Sequence, residues 1–306
     1  MNEHVTIGRT IQIFLVDGSP TGLRKATVHG WTGTVLVSSS AAFPSLIARE
    51  ELDRTGVYLL AGLDPDTDEP RVYIGSANSV VERIRQSAQQ RTFWQTAFAV
   101  VTSDDDLSKG HAEYLEARLI EMTAEADRAL LDNGTKPDTD RRRLPEADKA
   151  NMEQFLLNLG LVLPVVGLDI LRPQPRAVRH SARETQQPAE EQVRFEITHR
   201  TGIRALAVEE GGEFAVLAGS EVLTGTGNAS SDLFEGRKQR LMERGVLVAQ
   251  SEGVLRFAKT HAFSSPSTAA AIVLDRSSNG RTEWKVEGTR QTYHDWQQSQ
   301  VAEAAE

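Results

Sequence analysis

Residues 56–75 read GVYLLAGLDPDTDEPRVYIG. Gly56-Val57-Tyr58-Leu59-Leu60 is a short run of β-favouring residues. Asp64 to Pro70 is an acidic loop, and Arg71-Val72-Tyr73-Ile74-Gly75 resumes the β pattern. Two such runs around a polar loop predict an antiparallel hairpin. Each run carries one tyrosine and one glycine, so the hairpin brings two phenols into the same small region.

Outward from the hairpin, Thr10 to Val16 and Gly33 to Val37 read as strands, the first closed by the turn residues Asp17-Gly18-Ser19-Pro20. Phe43 to Leu52 reads as a helix. After the hairpin, a helix is predicted from Ser79 to Ser87, with Val80, Val81 and Ile84 on one side. A buried strand follows at Phe98 to Val101. Tyr114, Leu115, Leu119, Ile120 and Met122 fit a helical period, and they predict a long helix from Ser108 to Leu131. Another helix spans Glu146 to Leu159. The run Leu156 to Leu171 is broken by Asn158, Gly160, Pro164, Gly167 and Asp169, and is too short to cross a bilayer.

Residues 172–192 are rich in Pro, Gln and Arg and read as a linker. Beyond them come a strand at Phe214 to Leu217, a polar helix at Leu233 to Arg244 and a hairpin pairing Val246–Val248 with Val254–Phe257. A helix at Ser267 to Leu274 follows, then a turn at Ser278-Asn279-Gly280 and a strand around Trp284. The segmentation is a strand-rich lead-in (1–50), an α/β (α+β) domain with a small central antiparallel sheet flanked by helices (51–171), a linker (172–192), a small α+β module (193–290) and a polar tail (291–306).

The composition narrows the function. The chain has 306 residues, 39% hydrophobic and 25% charged, which is globular rather than disordered. It has no cysteine, which excludes disulfides, thiolate metal sites and cysteine nucleophiles and fits a cytoplasmic location. Met1 to Thr10 lacks a secretory pattern, so no membrane partner is expected. The net charge of −9 excludes a general polyanion binder.

Four residues recur in an informative order: Tyr58, Tyr73, Arg83 on the next helix and Glu116 within Tyr114-Leu115-Glu116-Ala117-Arg118. Singly, each has an ordinary reading, a packed strand tyrosine or a solvated helix charge. As an ordered set they resemble the GIY-YIG nuclease family, over about residues 51–138. The resemblance implies a metal-dependent endonuclease that hydrolyses phosphodiester bonds of nucleic acid, DNA above all. It implies Glu116 as ligand of Mg²⁺ or Mn²⁺, Arg83 on the phosphate, and Tyr58 as general base with Tyr73 as its partner, or the reverse.

Those residue types suit the chemistry. A carboxylate holds a hard cation while water and phosphate fill the other positions. Arginine grips phosphate oxygens with a fork that lysine lacks. A phenol, with an ordinary pKa of about 10, can take a proton from water only if its surroundings lower that value. The chain departs from the family pattern at Ser87, where many members carry His or Tyr, and at Ser76, where some carry Lys. Asn133 is the best match to the family's asparagine, and His111 is a candidate to take over the missing histidine's role. Asp104-Asp105-Asp106 reads as charge at a helix start rather than a metal cluster.

From Glu51 to Asp138 nine basic residues face seventeen acidic ones, a balance of −8. Affinity for nucleic acid must then come from elsewhere. The candidates are Arg141-Arg142-Arg143, the linker residues Arg172, Arg176, Arg179, His180 and Arg183, and the cluster Arg237, Lys238, Arg240 and Arg244, each of which also reads as a plain solvated face.

Phe263 to Ser267, Ala269 to Ala271 and Ser278 to Lys285 resemble a family known only as domain of unknown function 4357, over about residues 233–287. Within it Asn279, Arg281 and Trp284 are candidate ligand readers, Trp284 reading first as core. A protein partner through this module is the other expectation. The alternative to an enzyme is a catalytically weak or inactive nucleic-acid-binding or scaffolding subunit of a restriction or phage-defence system.

Overall fold

The hairpin forms as expected. In the computed structural model, which describes residues 8–65, 69–134, 144–173, 193–225 and 231–303, Gly56–Leu63 pairs antiparallel with Pro70–Ala77, and Tyr58 stands opposite Gly75. The chain divides into two units, Met1–Pro173 and Gln174–Glu306.

In the first unit the chain order is β1 (Ile11–Leu15), β2 (Arg24–Val28), β3 (Gly33–Ser39), α1 (Phe43–Ile47), a 3-10 turn (Glu50–Leu52), β4 (Gly56–Leu63), β5 (Pro70–Ala77), α2 (Val80–Gln89), β6 (Trp94–Thr102), α3 (Lys109–Ala126), β7 (Leu130–Leu131) and α4 (Glu146–Val165). The strands form one seven-stranded sheet in the order β1-β2-β3-β6-β4-β5-β7. It is larger than the small sheet expected. The lead-in is not separate from it: β3 pairs along its whole length with β6, Val37 opposite Phe98. The unforeseen β2 begins Arg24-Lys25, charges that the strand tolerates because both are half-exposed.

Alternation sends neighbouring residues to opposite faces of the sheet. Val57, Leu59, Val72 and Ile74 pack with Leu115 and Leu119 of α3 and with Phe155 and Leu159 of α4. Tyr58 and Leu60 pack with Val80 and Ile84 of α2. Helix α3 stops before the expected Leu131, because Asp127 turns left-handed (φ 52°) as its C-terminal cap. Leu130 and Leu131 then pair in parallel with Arg71 and Val72.

The second unit contains β8 (Arg194–Thr198), β9 (Arg204–Glu210), β10 (Glu213–Val216), β11 (Glu221–Leu223), α5 (Ser231–Glu243), β12 (Leu247–Ser251), β13 (Val254–Phe257), β14 (His261–Phe263), α6 (Pro266–Leu274), α7 (Gly280–Glu283), β15 (Lys285–Val286) and α8 (Tyr293–Glu303). A five-stranded sheet, β14-β10-β9-β8-β15, and a three-stranded one, β11-β13-β12, make it an α+β module. The expected turn at Ser278-Asn279-Gly280 instead opens a one-turn helix. Asn279 caps α7, and Gly280 lies so close to α6 that a methyl there would fall 2.1 Å from the Pro266 carbonyl carbon.

The expected polar tail is also corrected. It forms α8, anchored by buried Tyr293 and by Trp296, whose ring packs 5.1 Å from that of Phe195. Two aromatics three residues apart share a helix side, and the polar residues around them hid that stripe. Among the described residues no helix is long and apolar enough to cross a membrane.

Candidate active site

Both tyrosines point to the α2 side of the sheet, because Tyr73 stands opposite Leu60, two residues on from Tyr58. Their ring centroids are 6.1 Å apart. Tyr58 is sealed, at 1% exposure, and its hydroxyl lies 2.8 Å from Ser87 Oγ on α2. Burial pushes the Tyr58 phenol well above its usual range. The Ser87 hydrogen bond and the Arg83 charge pull it back by less, and Tyr73 pushes it further up. The expectation that Tyr58 is the base is opposed by these surroundings. Ser87 sits where it can hold Tyr58 in place.

Arg83 is exposed on α2, where its Nη1 donates to Gln86 Oε1 at 3.2 Å, and its charge is felt at Tyr58. A solvent-facing guanidinium whose charge reaches Tyr58 can meet a phosphate.

Glu116 lies on the other side of the sheet, on α3. Ser76 Oγ donates to Glu116 Oε2 at 2.6 Å. The tyrosine group and the carboxylate therefore lie on opposite faces of the sheet, linked through consecutive residues of β5, Gly75 and Ser76. Beside Ser76 a cleft of about 120 Å³ is lined by Ala77, Asn78, Lys109, Ala112 and Glu113. Among the described residues no group of three or more His, Asp or Glu side chains is placed to hold a metal. A cation here would rest on the Glu116 carboxylate with the Ser76 hydroxyl beside it, a hard-oxygen set that suits Mg²⁺ or Mn²⁺.

Two expected site residues are engaged elsewhere. Asn133 donates from Nδ2 to the Ile74 carbonyl (2.7 Å) and accepts at Oδ1 from the Ile74 amide (3.1 Å), so its side chain continues the sheet beyond β7. His111 accepts at Nδ1 from the Ser108 amide (3.3 Å), completing the capping box of α3, with Nε2 3.7 Å from Asp148 of α4. Its ring is used to cap a helix. The acidic run Asp104 to Asp106 is exposed loop ahead of that cap.

A charged chain beside the tyrosines was not foreseen. The Arg91 guanidinium lies over the Tyr73 ring, 3.3 Å from its centroid. Its Nε donates to Asp132 Oδ2 (2.7 Å) and its Nη1 to the Ser87 carbonyl (3.2 Å). Asp132 also accepts from Arg71 (2.5 Å), which in turn pairs with Asp64 (2.7 Å). Nothing in the local sequence marks Arg91, because its partners come from three separate elements.

The nucleic-acid candidates divide. Arg172 pairs with Asp169 at 2.6 Å. Arg237, Arg240 and Arg244 are partly exposed. Lys238 is corrected: it is 1% exposed, donates to the Leu223 carbonyl at 2.5 Å and pairs with Asp275, itself fully buried. A side chain so enclosed cannot meet a phosphate. Arg141 to Arg143, Arg176, Arg179, His180 and Arg183 lie outside the described residues. Trp284 is core, fully buried, its Nε1 donating to the Pro266 carbonyl at 3.0 Å.

Fold and site define an α+β protein of two units, the first carrying a paired-tyrosine cluster and the second a compact module. The family model for domain of unknown function DUF4357 matches residues 195–297. That span is wider than the 233–287 expected and takes in β8 to β11 and the start of α8. No curated protein and no solved structure matches the chain.

Proposed function

We propose that the first unit is a metal-dependent endonuclease of the GIY-YIG type, hydrolysing phosphodiester bonds of nucleic acid, with DNA the substrate to test first. One observation carries the reading. Two phenols 6.1 Å apart, the inner one within reach of the charge of a solvent-facing arginine, are linked through the Gly75–Ser76 step of β5 to a carboxylate across the sheet on α3. A cytoplasmic location and a protein partner for the second unit belong to the same proposal.

The roles follow from the surroundings. Arg83 pairs through its fork with non-bridging phosphate oxygens. Tyr73, half-buried, is the phenol that water can reach, and Tyr58 braces it from the interior. Of the two assignments left open by the sequence, burial favours Tyr73 as the group that orients the attacking water, and it would accept the water's proton only as the phenolate. Bound at Glu116, Mg²⁺ or Mn²⁺ would polarise the phosphate and stabilise the leaving oxygen.

A second reading, a nucleic-acid-binding or scaffolding subunit without activity, is favoured by Ser87 and by the −8 balance of residues 51–138. Nicking of supercoiled plasmid by the full chain decides between the two. Under the nuclease reading, cleavage requires Mg²⁺ or Mn²⁺ and is lost in Glu116→Gln at an unchanged melting temperature. Undiminished cleavage by folded Glu116→Gln overturns the assignment.

A further inference from the structure

We infer that Arg91, braced by Asp132, is a positioning residue that fixes Tyr73 for the reaction proposed above; the inference rests on that reading. One guanidinium is used on three sides. Its face covers the Tyr73 ring at 3.3 Å, its Nε meets Asp132 at 2.7 Å and its Nη1 meets the Ser87 carbonyl at 3.2 Å. Ser87 is also the residue whose hydroxyl holds Tyr58 at 2.8 Å. A single side chain thus touches one phenol directly and the support of the other.

The brace is itself held. Arg71 grips the second oxygen of Asp132 at 2.5 Å, and Asp64, 6% exposed, grips Arg71. The same segment secures the backbone on both sides of Tyr73: the Asp132 amide donates to the Val72 carbonyl at 2.8 Å, and Asn133 holds both polar groups of Ile74. Backbone and ring of Tyr73 are therefore fixed from one place, the residues just after β7. A planar fork can stack on a ring and bond edgewise at the same time; an ammonium cannot. Misplacing a reacting group by about 1 Å costs on the order of 100-fold in rate.

The test uses the full chain, a supercoiled plasmid and Mn²⁺. Arg91→Lys keeps a cation for Asp132 and so preserves folding. Its kcat should fall on the order of 100-fold, with KM changed less than about threefold, as when an interaction made only in the transition state is removed. Asp132→Asn should follow in the same direction. In the ¹³C-tyrosine NMR spectrum, four residues to assign, Arg91→Lys should move the Tyr73 signal and leave Tyr114 and Tyr293 in place.

Unchanged kcat in Arg91→Lys, with the parent active, overturns the inference and leaves the nuclease reading standing. A raised KM at constant kcat also overturns it, because Arg91 would then be binding substrate. A parent without metal-dependent nicking overturns both. A Tyr73 signal unmoved by Arg91→Lys overturns the positioning role whatever the activity.

Discussion

Gly75 faces Tyr58 across the hairpin so closely that a methyl on Gly75 would lie 2.5 Å from the Tyr58 hydroxyl oxygen and ring carbon Cζ. The glycine that ends the second tyrosine run is there to make room for the first tyrosine. Tyr58 cannot swing aside, since it is buried and its hydroxyl is held by Ser87. Gly75→Ala should therefore destabilise the first unit by about 1–3 kcal/mol, the usual cost of overpacking, and should abolish nicking activity. Tyr58→Leu in the Gly75→Ala background should recover stability without recovering activity. A urea midpoint for Gly75→Ala equal to the parent's would show that the ring moves freely.

Lys238 and Asp275 form a pair removed from water on both sides. Breaking such a pair leaves an uncompensated buried charge and costs about 3–5 kcal/mol. Lys238→Met should lower the unfolding transition of the second unit accordingly, and adding Asp275→Leu should restore much of the stability. Nucleic-acid affinity measured below that transition should not change. If Lys238→Met melts with the parent but binds DNA more weakly, the lysine reaches solvent after all.

How far the sequence discloses this protein depends on whether a residue's partners are near it in the chain. Tyr58 and Tyr73 are legible because a hairpin joins them, and the α2 and α3 positions of Arg83 and Glu116 follow from helical periods. The hold of Ser87 on Tyr58 is not legible, because the two are 29 residues apart. Arg91 and Asp132 meet across 41 residues. Lys238 misled for a related reason, and His111 is used as a cap. A polar residue type advertises chemistry, yet capping a helix and neutralising a buried carboxylate consume the same polar groups. The aromatic anchors of α8 were masked by the polar residues around them.

Three phenols give a pH signature. Burial pushes Tyr58 above its usual range; burial and the hydrogen bond to Glu153 raise Tyr114 to about 12; burial and the hydrogen bond to Glu209 raise Tyr293 to about 12. The unfolded chain releases these protons near pH 10, while the folded chain still holds them. Stability is then complete below about pH 10 and falls as pH climbs toward the folded values, since the folded state binds more protons in that window. Urea midpoints at pH 9, 10 and 11 should decline, and Tyr114→Phe should flatten the decline for the first unit. A flat profile in the parent would contradict the raised values.

The two core clusters of the first unit lie wholly within residues 1–173, so a chain ended at Pro173 should fold and keep its cleavage chemistry. Residues 51–138 nevertheless carry a balance of −8. Affinity for a polyanion would then be supplied by the residues removed, with the partly exposed Arg237 and Arg240 as candidates and the buried Lys238 not. The fragment should cut at high concentration and low salt and bind DNA far more weakly than the full chain. In the full chain, replacing Arg237 and Arg240 with alanine should reduce the dependence of log affinity on log salt by about 2, close to one unit for each phosphate no longer neutralised. Equal affinity and equal salt slope for fragment and full chain would mean that the second unit does not target nucleic acid. That unit would then be better regarded as a protein-interaction module.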